Sequence, residues 1–148
     1  MIRLSKSVIG NEEIEAVKSV LEKEFLGMGE EVLQFESNLK SYIGVEAVCV
    51  NSGTAAIQLA LQAADVSNGD EVLVQSLTYL ASFQAISANG AIPVACEVNE
   101  ENFTIDLSDA KKRITNKTKA VLAVHYAGNV GDLDALYDFS KKNNLRLI

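Results

Sequence analysis

The sequence predicts an α/β protein built on a mostly parallel sheet with helices on both faces. Three observations predict it. Strand-like and helix-like periodicities alternate along the chain from Val45 onward. The segments "VLV" and "AVLAV" are continuous apolar runs, as strands covered on both faces require. Successive strands are separated by segments long enough for a helical crossover, which parallel pairing needs.

The elements follow in order. From Asn11, read as an N-cap, Ile14, Val17 and Leu21 fall on one helical face, with Glu12 and Glu13 in the first turn where the helix dipole favours acids. "GEEVLQFESNLKSYIG" repeats the pattern through Val32, Phe35, Leu39 and Tyr42, and Gly44 is its stop. Gly27-Met28-Gly29 between these helices begins a G-x-G, but it follows a helix rather than a strand and reads as a helix–helix turn. "VEAVCVN" is expected to be a strand, Thr54 to about Ala64 a helix, and "DEVLVQS" a second strand. "YLASFQAISANG" is a helix closed by Asn89-Gly90, and "IPVACEV" a strand with Pro93 near its start, where a missing N–H does least harm. Ser108 is expected to cap a short helix through Ile114, "KAVLAVHY" to form a strand, and Asp132 to cap a helix ending in Lys141 and Lys142. "LRLI" opens another strand. No repeat or linker breaks the 148 residues, which read as one domain. The strands near residues 45–51, 71–76 and 119–126 are expected to be parallel neighbours.

Composition excludes several classes. Hydrophobic residues make up 48% and charged residues 22%, a globular rather than a disordered balance. A net charge of −7 argues against a nucleic-acid surface. No apolar run reaches the roughly 18 residues of a membrane span, and the N-terminus lacks a signal-like apolar region. Cys49 and Cys96 lie in apolar runs and are expected to be buried free thiols, a pattern that fits the cytoplasm. With a single histidine, His125, and two distant cysteines, no metal site is expected.

In open parallel sheets, ligands bind beyond the carboxyl ends of the strands. That rule selects "NSGT", "SLTY" and "HYAGNVGD". At the first, Gly53 permits close backbone approach and Thr54 opens a helix whose first N–H groups lack partners, a site for a phosphate. An ordinary steric turn is the alternative. Tyr79, past the end of a strand, could stack on a flat ligand or be a core or interface tyrosine. His125 ends a strand and is either a site residue or a structural one. The Thr54–Ala64 helix has Gln58 and Gln62 as its only polar side chains before Asp65, so it needs a second cover, from the same chain or a partner subunit.

"IRLSKSVIGNEEIEAV", "FLGMGEEVLQFESNLKSYIG", "VNSGTAAIQLAL", "GDEVLVQSLTYLASFQAISANGAIPVACEV" and "TKAVLAVHYAGNVGDLDAL" together resemble the N-terminal part of the DegT/DnrJ/EryC1/StrS sugar aminotransferases. The resemblance implies the aspartate-aminotransferase-like fold (PLP fold type I), with residues 1–148 as the N-terminal part of its large domain. It implies pyridoxal 5′-phosphate (PLP) as cofactor, with Gly53, Thr54 and Ala55 at its phosphate and Tyr79 on its ring. It implies a nucleotide-linked keto-sugar as substrate, glutamate as amino donor, and a cytoplasmic homodimer. The aspartate and the Schiff-base lysine of the family match no position here, so no catalytic residue is assigned. The chain is expected to be an inactive portion of a longer enzyme, or alternatively a non-catalytic dimerising or ligand-binding remnant.

Overall fold

In the computed structural model, which describes residues 5–148, the chain divides between Cys49 and Val50 into two units. The first holds α1 (Asn11–Glu22) and α2 (Glu30–Ile43). Asn11 is the first helical residue rather than the cap. Extended Gly10 holds that place, and its N–H donates to the Glu13 carboxylate at 2.6 Å. That bond satisfies a donor the helix leaves open and holds the Glu13 carboxyl below its ordinary value. Gly44 ends α2 as expected, with φ +80° and its N–H on Lys40 O. Gly27 and Gly29 lie in the turn between the helices. Ile14, Val17 and Leu21 form the expected stripe, yet each is more than half exposed.

The expected strand "VEAVCVN" is not one. A strand exists through its neighbour's hydrogen bonds, and none of the described residues pairs with this segment. Cys49 N–H donates instead to Glu36 Oε1 at 2.7 Å, and Val45 and Val48 stand exposed. Cys49 is consequently half-buried rather than buried.

The second unit is a four-stranded, all-parallel sheet of order β2-β1-β3-β4. Its strands are β1 (Glu71–Gln75), β2 (Ile92–Cys96), β3 (Thr118–Leu122) and β4 (Arg146–Leu147). Leu73 sits between Val94 of β2 and Val121 of β3, and Pro93 lies on the outer strand, where its missing N–H costs no ladder bond. Of the three expected parallel neighbours, the segments at 71–76 and 119–126 pair and the one at 45–51 does not.

The helices are α3 (Gly53–Ala63), α4 (Ala81–Ala88), α5 (Leu107–Lys112) and α6 (Leu133–Lys142). The chain runs from β1 to β2 in one direction across the sheet, then from β2 to β3 and on to β4 in the other. Right-handed crossovers therefore put α4 on one face and α5 and α6 on the opposite one. Strand side chains alternate accordingly. Val72, Val74, Ala120 and Leu122 pack with Leu61, Ala85 and Ile86 of α3 and α4. Leu73, Val121 and Cys96 pack with Ala110, Leu136 and Phe139 of α5 and α6. Both faces are covered, which is why the strands read as unbroken apolar runs.

α3 opens at Gly53, one residue before the expected Thr54, α4 opens at Ala81 rather than at Tyr79, and two further boundaries depart from expectation. Asp106, not Ser108, caps α5: its Oδ1 accepts from the Ser108 N–H at 2.7 Å and the Asp109 N–H at 3.3 Å, and the helix ends at Lys112, short of Ile114. β3 stops at Leu122 and gives way to a 3-10 turn at Tyr126–Gly128. Asp132 caps α6 as expected, accepting from Ala135 N–H at 2.9 Å. α3 buries Leu61 but leaves Ala56, Leu59, Ala60 and Ala63 exposed, so the second cover its composition requires is not supplied within its unit. Among the described residues no helix is long and apolar enough to cross a membrane.

Candidate functional site

The reversal of chain direction at β1 defines a place for a ligand. The connection leaving β1 goes to one face and the connection leaving β3 to the other, so a crevice opens between the carboxyl ends of these adjacent strands. Tyr79 lies in the first connection and His125 in the second. α3 precedes β1 and returns the chain to the amino end of the sheet, which puts the first turn of α3 at the carboxyl end with the crevice.

The first turn of α3 is built by "NSGT". Ser52 is the N-cap, extended, and its Oγ accepts from Ala55 N–H at 3.2 Å. Ser52 O accepts from Ala56 N–H at 3.1 Å. Among the described residues the N–H groups of Gly53 and Thr54 have no acceptor, and they stand at the positive end of an 11-residue helix. A Cβ built on Gly53 meets nothing within 4 Å, and Gly53 does not have a positive φ. The fold therefore does not require glycine here; what the missing side chain leaves is open space over two unpaired donors. That arrangement fits a phosphate.

Tyr79 is 82% exposed, which disposes of the core-tyrosine reading and leaves its ring free for a flat ligand or a partner. No hydrogen bond joins it to the α3 turn. His125 is also exposed and borders a cavity of about 230 Å³, shared with Gln75, Thr104, Asp106, Ser108 and Asp132. None of Gly53, Thr54, Ala55 or Tyr79 lines that cavity. The α3 turn and Tyr79 thus share one end of the unit as open surface, while His125 belongs to a separate hollow at the same sheet edge.

One site residue was not singled out by sequence reasoning. Gln75, at the last position of β1, is fully buried. Its Nε2 donates to Leu77 O at 2.9 Å and Phe103 O at 3.1 Å, and its Oε1 accepts from Val124 N–H at 3.1 Å. One side chain thereby ties together the connections leaving β1, β2 and β3. Removing the carboxamide takes its partner from one N–H and two carbonyls in half-buried or exposed backbone, a loss of about 1–3 kcal/mol for each that water does not reach. The signal was present in "EVLVQ": a polar residue closing an apolar central strand.

Other chemistry is weak here. Burial pushes the Cys96 thiol up to about 11, and burial also raises Cys49, so neither is a thiolate at neutral pH. No cluster of metal-binding side chains occurs among the described residues. Lys117 and Lys119 flank the start of β3, the end of the sheet away from the crevice, and Lys18, Lys40, Lys111, Lys112, Lys141 and Lys142 belong to α1, α2, α5 and α6.

Comparison with known proteins bears on the fold and the family. The family model of the DegT/DnrJ/EryC1/StrS aminotransferases matches residues 7–148. The dTDP-4-dehydro-2,3,6-trideoxy-D-glucose 4-aminotransferase of Saccharopolyspora spinosa is 37% identical over 151 aligned positions, covering 100% of this chain and 39% of that protein. The crystal structure of S. venezuelae DesV in complex with a ketimine intermediate superposes with a TM-score of 0.86 at 40% identity, over 92% of this chain and 37% of that one. NtdA from Bacillus subtilis with bound PMP gives a TM-score of 0.87 at 29% identity, over 94% of this chain and 33% of that one. The chain thus spans between a third and two fifths of the length of these relatives. It has the α/β architecture of the PLP fold type I sugar aminotransferases, and it belongs to the DegT/DnrJ/EryC1/StrS aminotransferase family.

Proposed function

We propose that these 148 residues form the N-terminal part of the large domain of a PLP-dependent aminotransferase acting on a nucleotide-linked keto-sugar. The observation that carries this reading is the pair of unpaired N–H groups at Gly53 and Thr54 over open space, in a chain whose relatives are sugar aminotransferases. The Gly53 and Thr54 amides bind the cofactor phosphate, and Ala55 continues the turn with its own N–H already held by Ser52. Tyr79 presents its ring to the pyridine ring. PLP, when bound, supplies the electron sink for moving an amino group. The chain's own share of the work is to bind and orient; no proton-transfer residue is assigned among its positions.

Glutamate as amino donor and a cytoplasmic homodimer complete the reading. The two free cysteines suit a reducing compartment, and the exposed Ala56–Leu59–Ala60–Ala63 stripe suits a partner copy. Titration of the chain with pyridoxamine 5′-phosphate (PMP), followed by tyrosine fluorescence, tests the cofactor part. PMP has no aldehyde to react with surface lysines, so binding reports the site alone. Saturable binding, competed by inorganic phosphate, is expected; no binding at millimolar ligand sinks the proposal.

A further inference from the structure

We propose that Gln75 is the positioning residue of this cofactor site, its carboxamide setting the Tyr79 connection against the backbone that leads into His125. The inference rests on the cofactor reading above and goes beyond it. Tyr79 has no packing of its own to fix it, being 82% exposed. What holds its connection is a short list of bonds. Ser76 N–H donates to Cys96 O at 2.8 Å, Leu77 O accepts from Gln75 Nε2 at 2.9 Å, Tyr79 O accepts from Ser82 N–H at 3.1 Å, and the Thr78 and Ser82 hydroxyls meet at 2.8 Å. Of these, the Gln75 bond alone comes from a side chain that also reaches across the crevice, to Val124 N–H at 3.1 Å.

The second amide hydrogen of Gln75 goes to Phe103 O at 3.1 Å. The Phe103 ring in turn meets Tyr126 edge-on, with centroids 6.4 Å apart. The segments on both sides of the crevice are thus referenced to one buried group with both amide hydrogens used. The Gln75 side chain is fully buried, and its three partners lie in half-buried or exposed backbone around it. The α3 turn is held separately, by Ser52. Phosphate binding and ring placement are therefore controlled by different residues, and a change at Gln75 should separate them.

The test uses the chain with two probes, PMP and inorganic phosphate. Gln75→Met keeps the side-chain length and removes the amide; Gln75→Glu keeps an acceptor for Val124 and loses the paired donors. The expected result is a PMP affinity about three- to tenfold weaker, the range of an aromatic stacking contact, with phosphate affinity unchanged. Faster amide exchange over residues 77–79 should accompany it. A residue needed only for packing would not move the PMP-to-phosphate ratio. An unchanged ratio in a folded variant overturns the proposal, as does loss of the fold in both variants, which would assign Gln75 to stability alone. If the unsubstituted chain binds neither probe, the cofactor reading falls and this proposal with it. If it binds PMP and the variants bind it equally well, this proposal alone falls.

Discussion

The Oε1 of Gln75 accepts the backbone N–H of Val124 at 3.1 Å, across the point where neighbouring connections leave the sheet for opposite faces. The bond takes the Val124 N–H on the β1 side, while Ala123 N–H still donates to Ile148 O at 2.9 Å on the other. Apolar sequence continues through Ala123 and Val124, but Val124 N–H is taken by a side chain and the backbone turns at Tyr126–Gly128.

Acid should loosen the second unit through Asp109. Its Oδ2 accepts from Arg113 Nε at 2.6 Å and from Glu97 N–H at 2.8 Å, tying α5 to the end of β2. The Arg113 guanidinium first, and the Glu97 amide second, hold its carboxyl below the ordinary value. A depressed carboxylate contributes stability that is full above the unfolded pKa and lost as pH falls through the folded one. Thermal midpoints should therefore stay level down to about pH 5 and fall below about pH 4. Asp109→Asn should lower the midpoint at neutral pH and shrink the acid drop. An identical acid slope in the variant would remove Asp109 from the explanation.

How much of this was legible in the sequence depends on where each residue's partners lie. Gly44, Asp132 and the apolar runs of β1 and β3 act through neighbours one turn away or through burial on both faces, and their patterns announce them. "VEAVCVN" has the composition of a strand, but pairing is a property of two segments and none of the described residues supplies the second. Ser108 and Asp106 are both good caps, and only geometry shows that Asp106 takes the N–H groups of Ser108 and Asp109. The start of α3 was readable to within one residue, Gly53 for the expected Thr54, because a helix start is local. At Gln75 the sequence shows a polar residue closing an apolar strand but not what it binds, since Phe103 and Val124 lie 28 and 49 residues away.

Gly53→Val should weaken PMP binding while sparing the fold. An added Cβ meets nothing within 4 Å and the backbone is not left-handed there, so the helix should form and the melting temperature shift by only a few degrees. The isopropyl group instead enters the space over the Gly53 and Thr54 amides. Losing even one charge-assisted bond, worth about 1.5–3 kcal/mol, weakens binding about tenfold or more. Isothermal titration against inorganic phosphate and PMP should register the loss for both probes. Equal affinity in the variant would make the turn a structural one.

Self-association should run through the uncovered side of α3. Ala56, Leu59, Ala60 and Ala63 form an exposed apolar stripe, with Leu59 50% exposed. Burying a leucine contributes about 1.5–3 kcal/mol, so Leu59→Glu should raise the dimer dissociation constant about tenfold or more. Sedimentation velocity across a concentration series measures this directly. A parent chain that stays monomeric at high concentration would count against the interface.

The last expectation concerns the lysines. Amino-group transfer by PLP enzymes uses a lysine, both to hold the cofactor and to move a proton. Here Lys117 and Lys119 lie at the end of the sheet away from the crevice, and the lysines of α1, α2, α5 and α6 sit on helices in solvated positions. Lys23 is engaged with Glu31 at 2.9 Å, and that acid holds its ammonium above the ordinary value, so it is a poor nucleophile. Within the second unit no hydrogen bond joins a lysine side chain to the first turn of α3, where the phosphate is proposed to bind. Incubating the 148-residue chain with PLP and trapping with borohydride should therefore give substoichiometric label spread over several peptides, and no turnover of an amino donor. Peptide mapping decides the matter. One lysine labelled to completion, with donor turnover, would mean that the fold brings an amine to the crevice and that these residues already hold a complete catalytic site.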